Sequence, residues 1–496
     1  MFAHGADGCR RSVTAPSRES AAHLRTHRAA ALKYGLDTLL ASAFDREWGY
    51  ADYWSPSSFA VGDLPSGDRA FFVALVALAV PFAITGLSLT VRRLRDAGLP
   101  LWLTVLFFVP VVNLLFFAVL TLAPDRHERL PRAAPRRVTS LLPRSRAGSA
   151  AAGIALTALL GGALAVFATE ALEHYGWGLF VGLPFSLGLL SVLVYAHAEE
   201  RSARSSIGVG MLSAAFASLS LIVVAREGAI CIVMALPISL PLAALGALTG
   251  YAIQRSERGG AVMPPALCSV ALVLPALMGV EAMSAPPPAV RPVTTSIVVN
   301  AAPEVVWRHV ISFPALPAPR EASFRAGIAY PIGARIEGRG VGAIRRCRFS
   351  TGDFVEPVTV WDAPRRLAFS VSAQPPPMKE LSPWGDVQPP HLDGFLRSRR
   401  GEFRLERLPG GRTRLVGTTW YENRMWPAAY WRGWSDALIH RIHTRVLRHV
   451  AKLSEDEAVR TLRRALGPAA TPHPRGSATR PSGSRPAPSP PAARAR

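Results

Sequence analysis

Lysine is nearly absent from this chain. Only Lys33, Lys379 and Lys452 occur among 56 basic residues, so arginine carries almost all of the net charge of +22. A basic chain that binds nucleic acid shows an arginine stripe interleaved with aromatics. Here many arginines flank apolar segments or fall in the Pro-rich tail, which fits lipid headgroups and membrane topology and argues for no nucleic-acid partner. Cysteine is scarce too: Cys9, Cys231, Cys268 and Cys347 have no CxxC pair among them, and two sit in apolar runs, which argues against a disulfide framework or a zinc site built on cysteines. GxSxG, HExxH and phosphate-loop patterns are missing. Gly338, Gly340 and Gly342 lie between strand-like runs with no helix after them, so they read as a hairpin turn. No catalytic set and no cofactor are assigned. The first apolar run begins only near Ala70, so no cleaved leader is expected, and the first membrane helix would itself direct insertion.

What the chain does have is a join between long apolar segments and a soluble unit. A bilayer crossing takes about 20 apolar residues. Stretches 70–91, 99–123, 149–172, 176–196, 206–225, 228–253 and 261–283 each meet or approach that length. The expected organisation is an N-terminal region 1–69, a multi-pass membrane domain 70–283, a proline-rich linker 284–292, a soluble domain 293–454 and a Pro/Arg-rich tail 467–496. Residues 1–29 and the tail are too polar to bury a core and are expected to be disordered. Residues 30–44 have helical spacing, for a helix on the membrane surface or packed on the membrane unit. With seven crossings, 19 lysines and arginines fall on one side and 5 on the other. The positive-inside rule then puts the N-terminus in the cytoplasm and the soluble domain outside an inner cell membrane; one fewer crossing reverses that.

Two stretches carry family resemblances. Tyr50-Ala-Asp-Tyr-Trp-Ser-Pro-Ser-Ser and Val91-Arg-Arg-Leu-Arg-Asp-Ala-Gly, followed by Leu101 and Trp102, resemble a family of small bacterial membrane proteins of unknown function with an Arg-Arg-Leu-His-Asp-x-Gly box. Arg95 stands where that family usually has His, and the family's first helix is missing. The resemblance implies a membrane location and no reaction. In the second half, Thr295-Ser-Ile-Val-Val leads into a short helix near Pro303, a Trp361-x-x-Pro364 turn precedes an alternating strand, and 402–408 with 413–421 form a second hairpin before a helix over about 428–453. This order resembles the START/polyketide-cyclase (SRPBCC) superfamily. The fold class expected is an α-helical polytopic membrane domain of about seven helices followed by an α+β helix-grip domain, a curved antiparallel sheet around a long C-terminal helix.

The residues support that reading directly. Phe403 and Leu405 alternate with Glu402, Arg404 and Glu406, as on a strand with one wet face. Trp431, Trp434, Leu438, Ile442, Val446 and Leu453 recur at helical spacing and would lie against the sheet. A filled core or an apolar cavity both fit that stripe. The resemblance favours the cavity, with Glu356, Phe403, Leu405, Trp431, Trp434, Leu438 and Ile442 as its candidate lining. Desolvation there would raise the Glu356 pKa and suit it to acid–base work. Asp362 precedes the Ala363-Pro364 turn and reads as a cap. Asp436, His440 and His443, at i, i+4 and i+7, are weak metal candidates on a face expected to point outward. Nothing in the sequence brings Cys347 to His309 as a nucleophile pair.

The 26 residues 375–400 make a proline-rich insertion between strands, and Met378, Leu381, Trp384, Leu392 and Phe395 could form a lid, a contact with the bilayer or a plain surface loop. Arg226-Glu227 reads as a tight turn between two membrane segments, and Pro237 and Pro241 as kinks in the next one. The function expected is a membrane-anchored module, carrier or sensor, that binds a hydrophobic or lipid-like small molecule, with membrane lipids as neighbours and no protein partner identified. The alternatives are a cyclase/dehydrase-type enzyme on such a ligand, and a structural or sensory protein that binds a protein partner.

Overall fold

The computed structural model describes residues 18–46, 48–49, 53, 66–109, 111–122, 142–255, 269–285 and 287–465. The tail from 466 onward and most of the arginine-rich loop after residue 122 lie outside them. Helix α1 (Arg18–Ala43) begins inside the stretch expected to be disordered, and its Ala41 packs with Phe71 and Leu75 of α2 (Ser66–Asp96). Residues 30–44 therefore rest on the membrane unit's first helix.

Among the described residues, five helical stretches are long and apolar enough to cross a bilayer: Val73–Asp96, Arg146–Ala171, Gly178–Tyr195, Ala203–Val223 and Ala229–Gln254. The second expected crossing is broken. It consists of a 3₁₀ helix at Leu101–Phe108 and α3 (Val112–Leu122), with Val111 held at φ 65° between them. At about 2 Å and 1.5 Å of rise per residue, each piece covers only about half of a 30 Å hydrocarbon layer. The last expected crossing is described as a π-helical turn, Ser269–Val273, and α8 (Leu274–Met283).

The remaining membrane helices are α4 (Arg146–Val166), α5 (Leu183–Tyr195), α6 (Ala203–Val223) and α7 (Ala229–Gln254). Every residue of α5 is buried, as its apolar character on all sides demands. Glycines let α7 approach it closely: a Cβ on Gly188 would stand 1.9 Å from the Ala243 carbonyl oxygen, and one on Gly246 2.0 Å from that of Phe185. Buried Glu281 accepts hydrogen bonds from the Trp177 and Gly178 amides just ahead of α5, where a helix leaves its N–H groups unpaired. The arginine box is also structural. Gly98 at φ 68° ends α2, the Leu99 amide returns to the Leu94 carbonyl, and Arg93 Nε donates to the Leu120 carbonyl at the end of α3.

The helix-grip domain is one antiparallel seven-stranded sheet in the order β1-β7-β6-β5-β4-β3-β2. Its strands are β1 (Arg291–Val299), β2 (Pro331–Glu337), β3 (Ile344–Phe349), β4 (Gly352–Asp362), β5 (Arg366–Ser370), β6 (Leu396–Leu408) and β7 (Arg412–Asn423). Short helices α9 (Pro303–Ile311) and α10 (Ala322–Arg325) follow β1, and α11 (Ala428–Ala465) is the last described element, twelve residues longer than its apolar stripe indicated. That stripe serves two cores in succession. Val446, Leu447 and Val450 fill the sheet's concave face with Val306, Val310, Leu367, Leu405 and Leu415. Trp431, Trp434 and Leu438 instead pack with Tyr175, Phe180, Ile230 and Met234 of the membrane half. The first turns of α11 thus sit on the membrane helices, where the Tyr430 hydroxyl donates to the Met234 carbonyl and the Trp426 amide to that of Tyr175.

Candidate ligand cavity in the helix-grip domain

Between the sheet and α11 lies a cavity of about 110 Å³, lined among others by Arg345, Cys347, Phe354, Glu356, Phe369, Phe403, Ile442 and His443. One water needs about 10–15 Å³ on this measure, so the space exceeds a packing defect. A glycine helps to open it: a Cβ on Gly401 would stand 2.5 Å from the Phe369 ring, which lies across β6 in its place.

Strand register builds the polar part. Arg345 on β3 is directly opposite Glu356 on β4, and the two side chains form a buried ion pair. Arg345 is 2% exposed and Glu356 6%. The guanidinium also lies 5.3 Å from the Phe369 ring, 5.5 Å from Phe403 and 5.7 Å from Phe313, where ring faces stabilise a desolvated cation. Its Nε has no hydrogen-bond partner among the described residues. Burial pushes the Glu356 carboxyl above its ordinary range against the pull of Arg345, and burial with the nearby Glu356 charge pushes the Cys347 thiol up to about 12. The cavity therefore presents an apolar wall crossed by the buried Arg345–Glu356 pair, with buried Glu402 also on its lining.

Of the sequence candidates, Glu356, Phe403 and Ile442 line the cavity, while Leu405 lies in the core beneath it. Trp431, Trp434 and Leu438 do not line it, because they face the membrane helices. His443 was expected to point outward and instead lines the cavity, with Thr295 on its Nδ1 and Thr419 on its Nε2. With His440 also on Thr295 and Asp436 taking the Tyr421 hydroxyl, the three do not converge on a metal position. His309 is bound to Glu457, and Asp362 pairs with Arg365.

None of the five insertion residues lines the cavity. Met378 and Leu392 are buried against Ile230, Cys231 and Met234 at the head of α7, with Phe395 beside them. Leu381 and Trp384 stay exposed; the Leu381 carbonyl accepts from the Ala229 amide, and Trp384 Nε1 donates to the Ile222 carbonyl. The insertion seats the domain on the membrane helices, and none of the alternatives read from its sequence (lid, bilayer contact or plain surface loop) named that role. Arg345 was missed by sequence reasoning, although one signal existed: it shares the inward parity of Cys347 and Phe349 on β3.

Residues 38–129 match a family described as a protein of unknown function, DUF805, and residues 291–455 match the polyketide cyclase / dehydrase and lipid transport family. The chain thus joins an N-terminal stretch similar to that family of unknown function to a C-terminal helix-grip domain similar to the polyketide cyclase / dehydrase and lipid transport family. A protein of Nitrosospira multiformis is 19% identical, with 34% of this chain and 99% of that one covered at a TM-score of 0.21. The Zhui aromatase/cyclase from Streptomyces sp. R1128 is 16% identical over 36% of this chain and 98% of its own, at 0.23. A truncated norcoclaurine synthase from Thalictrum flavum is 10% identical over 34% and 94%, at 0.22. No curated protein matches the chain.

Proposed function

We propose that the protein is a membrane-seated binding module, carrier or sensor, for a hydrophobic or lipid-like small molecule held between the sheet and α11. The observation that carries the reading is the apolar cavity with Arg345 buried in its wall. An amphipathic ligand would lay its apolar body along Phe354, Phe369 and Phe403 and turn a carbonyl or anionic end toward the guanidinium. The family description, polyketide cyclase / dehydrase and lipid transport, includes such ligands. Native mass spectrometry of the 290–460 unit tests the reading through a co-purified molecule, backed by titration with fluorescent fatty acids. No retained molecule and no saturable binding from a folded unit would refute it and favour a protein partner.

One observation supports a second reading, a cyclase- or dehydrase-type enzyme: Glu356 is a buried acid with a raised pKa facing an apolar cavity. Glu356→Gln preserves an acceptor for Arg345, so a carrier keeps its ligand while an enzyme binds and fails to turn over. We further propose that the helix-grip domain is extracytoplasmic, a reading that takes the broken second segment as one of seven crossings and follows the arginine asymmetry of the loops. A membrane-impermeant thiol reagent should then label a cysteine placed at Ala470 in intact cells; labelling only after permeabilisation reverses the orientation.

A further inference from the structure

Where the insertion meets α7, four reactive side chains converge outside the ligand cavity. Glu227 comes from the turn ahead of α7 and Cys231 from its first turns; Glu380 and His391 come from the helix-grip insertion. All four are buried, at 7%, 9%, 3% and 4% exposure. His391 Nε2 lies 2.7 Å from Cys231 Sγ and 3.8 Å from Glu380 Oε1, and Nδ1 lies 3.4 Å from Glu227 Oε2. The outer oxygens are engaged: Glu227 Oε1 accepts from the Tyr175 hydroxyl at 2.8 Å, and Glu380 Oε2 from the Ile230 amide at 3.1 Å. The inner oxygens, Glu227 Oε2 and Glu380 Oε1, are buried and have no hydrogen-bond partner among the described residues. Buried carboxylate oxygens are rarely left so unless something else satisfies them.

Ligand atoms of Glu227, Cys231 and His391 all lie within 4.8 Å of one another. We propose that these three residues form a site for a divalent transition-metal ion of the zinc class, which clamps the helix-grip domain to the membrane helices. A thiolate, an imidazole and a carboxylate oxygen suit such a borderline-soft ion and leave one of its four tetrahedral positions to a water or a further ligand. The 2.7 Å between Cys231 Sγ and His391 Nε2 is a hydrogen-bond contact, which loading breaks as the sulfur turns to the ion. With Nδ1 on the ion beside Glu227, the imidazole's Nε2 is left facing Glu380. Such a partner fixes the tautomer and raises ligand basicity. Two ligands come from the membrane half and one from the insertion, so the ion crosslinks parts of the chain 160 residues apart.

The rival is a metal-free cluster in which a protonated His391 sits between the two carboxylates. The test uses the full-length protein, purified in mild detergent without chelators from zinc-supplemented cells, with metal measured by mass spectrometry. About one equivalent of zinc is expected, falling to background in Cys231→Ser and in His391→Ala and unchanged in Cys347→Ser. Cobalt reconstitution should give a thiolate-to-metal absorption band that Cys231→Ser abolishes. Gel filtration and circular dichroism establish that each variant is folded, and Cys231→Ser, close to isosteric, keeps the question answerable should His391→Ala fail to fold. Folded parent protein that carries no metal and binds none from equimolar zinc overturns the proposal. So does metal retained in full by the Cys231→Ser protein.

Discussion

Replacing one partner of the Arg345–Glu356 pair should cost unequal amounts depending on which is lost. Glu356→Leu leaves a guanidinium at 2% exposure with nothing to neutralise it, and arginine does not shed its proton in a protein. Removing one member of a buried pair typically costs about 3–5 kcal/mol, and this side of the pair should show that full figure. Arg345→Met leaves a carboxyl whose pKa is already raised by burial, so it can escape by taking a proton. That escape costs about 1.4 kcal/mol for each unit by which the pH exceeds the new pKa, so Arg345→Met should be milder at pH 5 than at pH 8. The double variant Arg345→Met/Glu356→Leu removes both charges and should return to within about 1–2 kcal/mol of the parent, the residual reflecting lost contacts with Phe313, Phe369 and Phe403. Pulse proteolysis of the full-length protein across a urea series reads these differences in the extramembrane domain. Additive costs in the double variant, or equal pH profiles for the two single ones, would refute the reasoning.

Two further outcomes follow from α11. Leu447 is fully buried in the sheet core, so Leu447→Ala should cost about 2–5 kcal/mol by the same assay, while partly buried Leu438 should cost less on truncation; equal midpoints would show that the helix does not divide between two cores. Burial, with His440 nearby, lowers His443 from 6.5 to about 4, so the unfolded chain takes a proton that the folded one refuses. The stability this represents is present above pH 6.5 and is lost as pH falls toward 4, by at most about 3 kcal/mol. His443→Gln should flatten that slope, and an unchanged slope would place the acid sensitivity elsewhere.

Periodicity made most of the architecture legible. The apolar runs located the membrane helices because a bilayer imposes length and hydrophobicity together. Alternation at Phe403 and Leu405 located β6, and the stripe from Trp431 onward located α11. What escaped was partnership across long separations. The stripe reads as one surface, yet Trp431 and Val446 bury against different halves of the molecule, which helical spacing alone cannot distinguish. The break at Val111 escaped for a different reason: composition stays apolar across it while backbone conformation changes. Arg345 was readable in principle, since an arginine at inward parity on a strand demands a buried partner, but naming Glu356 required the β3–β4 register.

The insertion shows why a local reading of function can miss where a segment acts. Its prolines and scattered apolar residues fit a lid, because lids and docking segments need the same chemistry: a loop with few backbone hydrogen bonds of its own and side chains to bury elsewhere. The deciding residues were the polar ones. Glu380 and His391 are too costly to bury in a mobile cover that opens to water, and both are buried here against α7. A segment that hides an acid and an imidazole needs a fixed partner surface, and Glu227, Cys231 and Tyr175 at the end of the membrane helices supply it. The membrane half is therefore more than a tether for the helix-grip domain: it completes the polar interior that the insertion begins.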